Sequence, residues 1–168
     1  MKKLGPSSTK GLKILHIVFV ALWFGGIISL LALRFGLRLE TLDEVNITYN
    51  NMKIIDDYLI RNGAQGILIT SLIYGIWTNW GFFKYRWVTV KLVVFVSQMI
   101  FGIVFLNRWM GSNISILNTE KVMALSNPTF IHNNSLIQFG IVSQLILIVF
   151  LICISVLKPW KKKKNIQP

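Results

Sequence analysis

The sequence predicts an all-α integral membrane protein, an antiparallel bundle of four transmembrane helices with both termini in the cytoplasm. The first observation is composition: 54% of the 168 residues are hydrophobic and only 14% are charged, which is too apolar for an ordinary soluble domain. The second is a set of four apolar runs that can each cross a bilayer as a helix of about 17 residues or more. The third is the uneven division of basic residues between the two sides of these runs.

The four predicted spans cover about residues 14–35, 64–80, 88–107 and 135–157 of a single membrane domain. Two long outer loops, 36–63 and 108–134, and a short connection, 81–87, join them, and a basic cytoplasmic tail comes last, at 158–168. The first run is too long for a signal peptide and has no small-residue cleavage site before Arg34, so we expect it to be a retained helix.

The basic residues predict the orientation. Eleven of the 18 lie on the side of the termini and six on the opposite side, while all six acidic residues fall in the two long loops. Because basic residues accumulate on the cytoplasmic side of a membrane protein, both termini are predicted to be inside. The eleven are Lys2, Lys3, Lys10, Lys13, Lys84, Arg86, Lys158, Lys161, Lys162, Lys163 and Lys164.

The first span carries a stripe of side chains that we expect to face the bundle. At about 100° per residue, His16, Trp23, Ile27, Leu30 and Arg34 fall on one side of a helix. Trp23 would lie near the middle of the membrane, where it cannot be an interfacial anchor. It is therefore predicted to be core packing or one wall of a pocket.

The other spans show small and polar side chains suited to helix contacts. The second span has one side composed of Gly63, Gly66, Thr70, Tyr74 and Trp77, and small residues allow close approach of membrane helices. The third and fourth spans carry amide and hydroxyl groups that we interpret as hydrogen-bond partners between helices: Gln98, Gln138, Ser143 and Gln144.

The two long loops differ in their residue patterns. The first contains charges spaced among apolar residues from Leu37 to Leu59, and part of it is expected to be helical, either extending the first span or lying on the membrane surface. The second, Gly111 to Asn134, is rich in Asn and Ser and contains Pro128, so it is expected to be irregular.

Several function classes are excluded by what the sequence lacks. Despite a net charge of +12, the basic residues flank apolar runs as topology signals and predict no nucleic-acid partner. There is no glycine-rich phosphate loop and no Cys/His zinc spacing. The single cysteine, Cys153, cannot form an intrachain disulfide. The spans contain no acidic residue, which argues against a proton-coupled carboxylate transporter.

Two ionisable residues lie within the spans, and such groups are costly enough to suggest function. His16 and Lys91 are both expected about one turn inside the cytoplasmic boundary. If their role is only structural, the Lys91 ammonium would extend to the lipid headgroups, and His16 would form a hydrogen bond with a neighbouring carbonyl. As a site, Lys91 would meet an anionic group and His16 would supply a metal ligand or a proton. His132 cannot share a haem with His16, because about 27 Å of helix separates their levels.

A family resemblance adds to these observations. The segment Leu12–His16, then Trp23–Gly26 and Arg34, with Arg86–Leu92 later, resembles small membrane proteins that include HemJ-type protoporphyrinogen oxidases, CopD-type copper-resistance proteins and uncharacterised four-helix bacterial relatives. The resemblance implies a four-helix bundle with b-type haem. It matches His16, Trp23, Gly26 and Lys91 to family positions. HemJ-type histidines are replaced here by Thr89 and by Phe101-Gly102, so the uncharacterised relatives match better.

Two functions are compatible with these features. The first is a b-type haem-binding protein of the bacterial cytoplasmic (inner) membrane, with a redox, haem-handling or sensing role and no assigned catalytic residue. Its cofactor-binding residues would be His16, which is also the iron ligand, with Trp23, Gly26, Arg34 and Lys91. The alternative is a non-enzymatic membrane subunit or small transporter without a cofactor. The expected partners are the lipid bilayer, a haem or porphyrin, and a membrane protein or second copy of the chain.

Overall fold

The computed structural model describes residues 3–36, 41–78 and 81–160. Within these ranges the regular structure is entirely helical, which confirms the all-α prediction. A π-helical turn, Asp56–Ile60, links the second and third α-helices, another, Gly102–Leu106, links the fourth and fifth, and a 3₁₀ segment, Lys121–Ser126, precedes the last. The α-helices are α1 (Pro6–Gly36), α2 (Leu42–Ile55), α3 (Arg61–Trp77), α4 (Arg86–Phe101), α5 (Asn107–Glu120) and α6 (Pro128–Leu157).

Three helical stretches are long and apolar enough to cross a membrane: Pro6–Gly36, Arg86–Ser126 and Pro128–Leu157. They contain the predicted first, third and fourth spans. The predicted second span, 64–80, corresponds to α3, which has only 17 residues and begins with Arg61 and Asn62. Its last two predicted residues lie outside the described ranges. The chain is thus a helical protein with the features of a multi-pass membrane protein.

Helices α1 and α3 pack closely and run antiparallel. The backbone N–H of Leu4 donates to the carbonyl of Trp77 at 2.9 Å, while Gly63, at the other end of α3, lies against Trp23. A Cβ at position 63 would come 2.6 Å from the Trp23 nitrogen, and one at Gly66 would overlap the ring of Phe19. The small-residue side of the second span therefore makes a close helix contact, as predicted, and its partner is α1.

The rest of the bundle forms around α6. Helix α6 packs against α1, α4 and α5, and its side chains Ile137, Ile141 and Ile148 are almost fully buried. Helices α3 and α4 are consecutive in the chain, yet the described residues do not form an extended contact between them. The bundle is consequently less tightly closed between α3 and α4 than elsewhere.

Much of the two predicted loops is helical. In the first, Thr41 caps α2: its hydroxyl accepts from the Glu44 backbone N–H at 3.3 Å, and the Glu44 carboxylate accepts from the Thr41 N–H at 3.0 Å. This reciprocal pair is a capping box. The expected partial helix is confirmed, although it continues into α3 and not from α1. Residues 37–40 lie outside the described ranges.

The prediction of irregular structure from Gly111 to Asn134 is wrong. Helix α5 runs to Glu120, and α6 begins at Pro128 with Asn127 as its cap. The Asn127 side chain accepts from the backbone N–H groups of Thr129 and Phe130. Asparagine before proline starts a helix here because the side chain satisfies free N–H groups and proline fits the first turn.

Candidate functional site

His16 faces α3. Its ring is half-buried, and its Nδ1 lies 2.7 Å from the hydroxyl of Thr70. The Thr70 hydroxyl carries one proton, which it donates to the Gly66 carbonyl at 2.6 Å. With its proton on a carbonyl of its own helix, the hydroxyl accepts from His16, and this arrangement favours the tautomer in which Nδ1 carries the imidazole proton and Nε2 has the free lone pair. In the described part of the chain, Nε2 has no hydrogen-bond partner.

Two more side chains complete the surroundings of His16. The Tyr74 ring packs edge-on, with its centroid 5.9 Å from that of the imidazole. Lys91 lies close enough for its charge to act on His16. The Lys91 ammonium also lies 5.7 Å from the ring centroid of Trp87, one turn closer to the helix start. Lys91 therefore extends towards the start of α4, and its snorkelling to lipid headgroups stays a prediction.

Trp23 and Gly26 lie deeper in the bundle. Trp23 is 4% exposed, and its ring packs edge-on against Phe95 of α4 with centroids 5.4 Å apart. Gly26 lies against the π-helical turn after α2, where an added Cβ would come 2.6 Å from Ile60. Gly26 thus allows a close helix contact, and Trp23 fills the space between helices. Trp23 also forms a wall of a cavity.

This central cavity, with a volume of about 340 Å³, lies in the gap between α3 and α4. Trp23 and Ile27 border it from α1, Ala64 from α3, and Met99 from α4. Both π-helical turns contribute to its lining, and such turns are often found at functional sites. His16 does not belong to the lining: it lies seven residues before Trp23, about 10 Å along the helix.

A pair of buried glutamines borders the same cavity. The Gln98 amide nitrogen donates to the backbone and side-chain oxygens of Gln144, at 3.0 and 2.9 Å, and the Gln144 amide donates to the Gln98 carbonyl at 3.0 Å. This confirms the prediction for Gln98 and Gln144, whereas the Ser143 hydroxyl donates to the Gly140 carbonyl of its own helix at 2.9 Å. The Gln98 Oε1 is buried without a partner among the described residues.

An ion network lies where α2 meets α3. Asp57 accepts from Lys53 at 3.1 Å and from Arg61 at 2.8 Å, and Lys53 also donates to Asn107 of α5 at 2.9 Å. Asp56 lies 3.8 Å from Arg61, and burial raises the pKa of its carboxyl. Asp56, Arg61 and Asn107 also line the central cavity, which gives it one polar end.

Arg34 belongs to a different place in the molecule. It lies 18 residues after His16 on the same continuous helix, a separation of about 27 Å. It borders a second pocket together with Tyr49 and Asn134. The predicted residues are therefore distributed along the bundle: His16 and Lys91 at one end, Trp23 and Gly26 inside, and Arg34 at the other end. We call these the His16 end and the Arg34 end.

The donor set fits a haem only in part. His16 offers a free Nε2, and a hydrogen bond from the other ring nitrogen is the usual support for a ligating imidazole. The described residues contain no group of three or more His, Cys, Asp or Glu side chains suited to hold a metal ion, and His132 lies on α6 near Asn134, at the Arg34 end. His16 would thus be the residue that holds a haem iron, and no second histidine lies near it in the described ranges.

A polar network at the Arg34 end was not predicted from the sequence. It links Tyr49, Asn113 and Asn133, which are almost fully buried, to Asn134. A signal for it was present, because Asn113 lies at helical spacing between Met110 and Leu117, and all three are buried on one side of α5.

Comparison of the chain with protein-family models, curated proteins and solved structures finds no match.

Proposed function

We propose that the chain is a b-type haem-binding protein of the bacterial cytoplasmic membrane, with His16 as the iron ligand. The observation that carries this proposal is the hydrogen bond between His16 Nδ1 and Thr70, which leaves Nε2 as a free nitrogen donor. In this proposal the helices form a four-span bundle with both termini in the cytoplasm. Its role would be in redox chemistry, haem handling or sensing.

Each neighbour of His16 has a role in this proposal. Thr70 fixes the tautomer and the plane of the imidazole, and Tyr74 packs against its edge. Lys91 is the cation available for a propionate or another anion. Arg34 is too far along α1 to share this task. Bound haem would supply one-electron chemistry or gas binding at an iron with one strong protein ligand.

The visible spectrum tests the proposal. The full chain is purified in detergent after expression with added haem, and oxidised and reduced spectra are recorded for the wild type, His16→Ala and His132→Ala. We expect a Soret band in the wild type and His132→Ala that is lost in His16→Ala, with unchanged far-ultraviolet circular dichroism. A colourless wild type, or an equal band in His16→Ala, would overturn the proposal.

The second candidate is a small transporter or a non-enzymatic membrane subunit without a cofactor. The observation favouring it is the central cavity, which lies about 10 Å from the level of His16 and has both apolar walls and a polar end. Here His16, Trp23 and Lys91 stabilise helix packing or a partner interface. A colourless protein whose His16→Ala variant is less stable to heat would support this function.

A further inference from the structure

The pocket at the Arg34 end has a volume of about 410 Å³ and is distinct from the central cavity. It lies where α1, α2 and α6 meet. Its walls combine apolar side chains with a few polar groups, the pattern usual for small-molecule sites. The lining includes Arg34, Val45, Tyr49, Leu125, Phe130 and Asn134.

Arg34 brings an unpaired positive charge to this pocket. Its Nε is buried and has no hydrogen-bond partner, and no acidic side chain in the described ranges pairs with its guanidinium. Burying a charged donor without an acceptor is costly, so such groups are normally paired. Arg34 is half-buried, so this cost falls on its Nε–H, for which an anion in the pocket would be an acceptor.

The hydrogen-bond network fixes what Asn134 offers. Asn113 Nδ2 donates to the carbonyl of Phe130 at 3.2 Å and to the Tyr49 hydroxyl at 2.8 Å, so it is the nitrogen and not the oxygen that faces both. Tyr49 must then donate its own proton to Asn134, whose Oδ1 accepts it at 3.0 Å. The Asn134 oxygen is thereby occupied, and its Nδ2 remains as a donor.

Tyr49 keeps this arrangement in place. Its side chain is 2% exposed, and burial raises the pKa of the phenol above its usual value of 10.0, although the Asn113 hydrogen bond and the Arg34 charge oppose this. The phenol stays protonated at neutral pH and continues to donate to Asn134. The polar groups of the pocket are then donors: the Arg34 guanidinium and the Asn134 amide.

We propose that this pocket binds a monocarboxylate with an apolar body. A carboxylate accepts hydrogen bonds from Arg34 and Asn134 together, and guanidinium–carboxylate pairs are among the strongest charge-assisted contacts. Val45, Leu125 and Phe130 would cover the apolar body. Arg34 is the one cation among the described lining residues and matches a single negative charge, and an inorganic anion would leave the apolar walls unused.

The carboxylate could come from solution or from the membrane, as a fatty acid. Two probes separate these sources: benzoate, and a long-chain fatty acid incorporated in nanodiscs. Binding of benzoate to the full chain in nanodiscs is measured by calorimetry, with chloride and phosphate as competitors. Binding of benzoate identifies a soluble ligand, and binding of the fatty acid alone identifies a membrane-derived one. Both results support the carboxylate site, and binding of neither probe would overturn it.

Matched variants make the test specific. Arg34→Gln should weaken binding about tenfold or more, since a hydrogen bond to a charged group contributes roughly 1.5–3 kcal/mol. Arg108→Gln removes an exposed positive charge without touching the pocket and should bind like the wild type. Asn134→Asp places a carboxylate in the pocket with Arg34 and should weaken binding at least as much as Arg34→Gln. Equal binding by the wild type and folded Arg34→Gln, or full competition by chloride, would overturn the proposal.

Discussion

Gly63 of α3 lies directly against the backbone of Trp23 of α1, so that a methyl group at position 63 would come 2.6 Å from the Trp23 nitrogen and 2.9 Å from its Cα. This approach brings α1 and α3 together along the stretch that also joins His16 to Thr70. The two helices form one unit on which the proposed iron ligand depends.

Substitution of Gly63 by alanine should destabilise the protein. The added methyl group would meet the Trp23 backbone, which cannot move aside as a side chain can. Helices α1 and α3 must therefore separate, which lowers the free energy of unfolding by about 1–3 kcal/mol. The measurement is the free energy of unfolding in mixed micelles. Gly25→Ala is the control, because an added Cβ at Gly25 meets nothing within 4 Å, and it should be neutral or slightly stabilising. Equal effects at both positions would contradict the close packing.

Replacing Thr70 by valine should weaken haem binding while leaving the protein folded. Valine keeps the shape of the side chain but removes the acceptor for His16 Nδ1–H, so the ring loses its fixed orientation. Loss of such a partner typically lowers metal affinity by about 10- to 100-fold. Haem titration of the apo protein checks this, and Thr119→Val, whose hydroxyl donates to the Ser115 and Ile116 carbonyls of its own helix, serves as the control. Unchanged affinity in Thr70→Val would show that Thr70 does not position the imidazole.

Asp56 should give the protein a pH-dependent stability. Burial is the largest cause of its raised pKa, so the folded state binds a proton more readily than the unfolded state. The free energy of unfolding should therefore fall as the pH rises from about 3.8, the ordinary value, through the raised pKa, and this contribution should be absent in Asp56→Asn. Unfolding is measured across this range for both proteins. Identical pH profiles would contradict the burial of the carboxyl group.

The proposed orientation predicts which residues reagents reach from outside. In a Cys153→Ser background, a cysteine at Asn50 of α2 should react with an impermeant maleimide added to intact cells, and a cysteine at Lys10 should react only after the cells are opened. This orientation is expected because most of the basic residues lie on the side of the termini, and such residues accumulate in the cytoplasm. Labelling of the Lys10 position in intact cells would reverse the orientation.

The sequence predicted the parts of this fold that depend on local pattern. Apolar runs and the stripe containing Trp23, Ile27 and Leu30 indicated a helical bundle, and these three side chains are buried. The small-residue side of α3, and Gln98 and Gln144 as hydrogen-bond partners between helices, were also recognisable from residue type and spacing. The four-span count and the orientation remain predictions.

The features that the sequence could not predict depend on contacts between distant segments. Asn127 and Pro128 resemble loop residues, whereas they start α6, because the same residue types serve in turns and in helix caps and tertiary packing selects between them. The partner of His16 is 54 residues away on α3. Arg34 shares a helical stripe with His16, yet the length of α1 separates them and Arg34 joins Tyr49 and Asn134 instead.

The most direct test of His16 as a haem ligand is a haem titration of the purified apo protein, monitored through the Soret band. We expect saturation at one haem per chain for the wild type and for His132→Ala, and no saturable binding for a folded His16→Ala protein. Saturable binding of equal affinity in His16→Ala would contradict the assignment of His16 as the ligand.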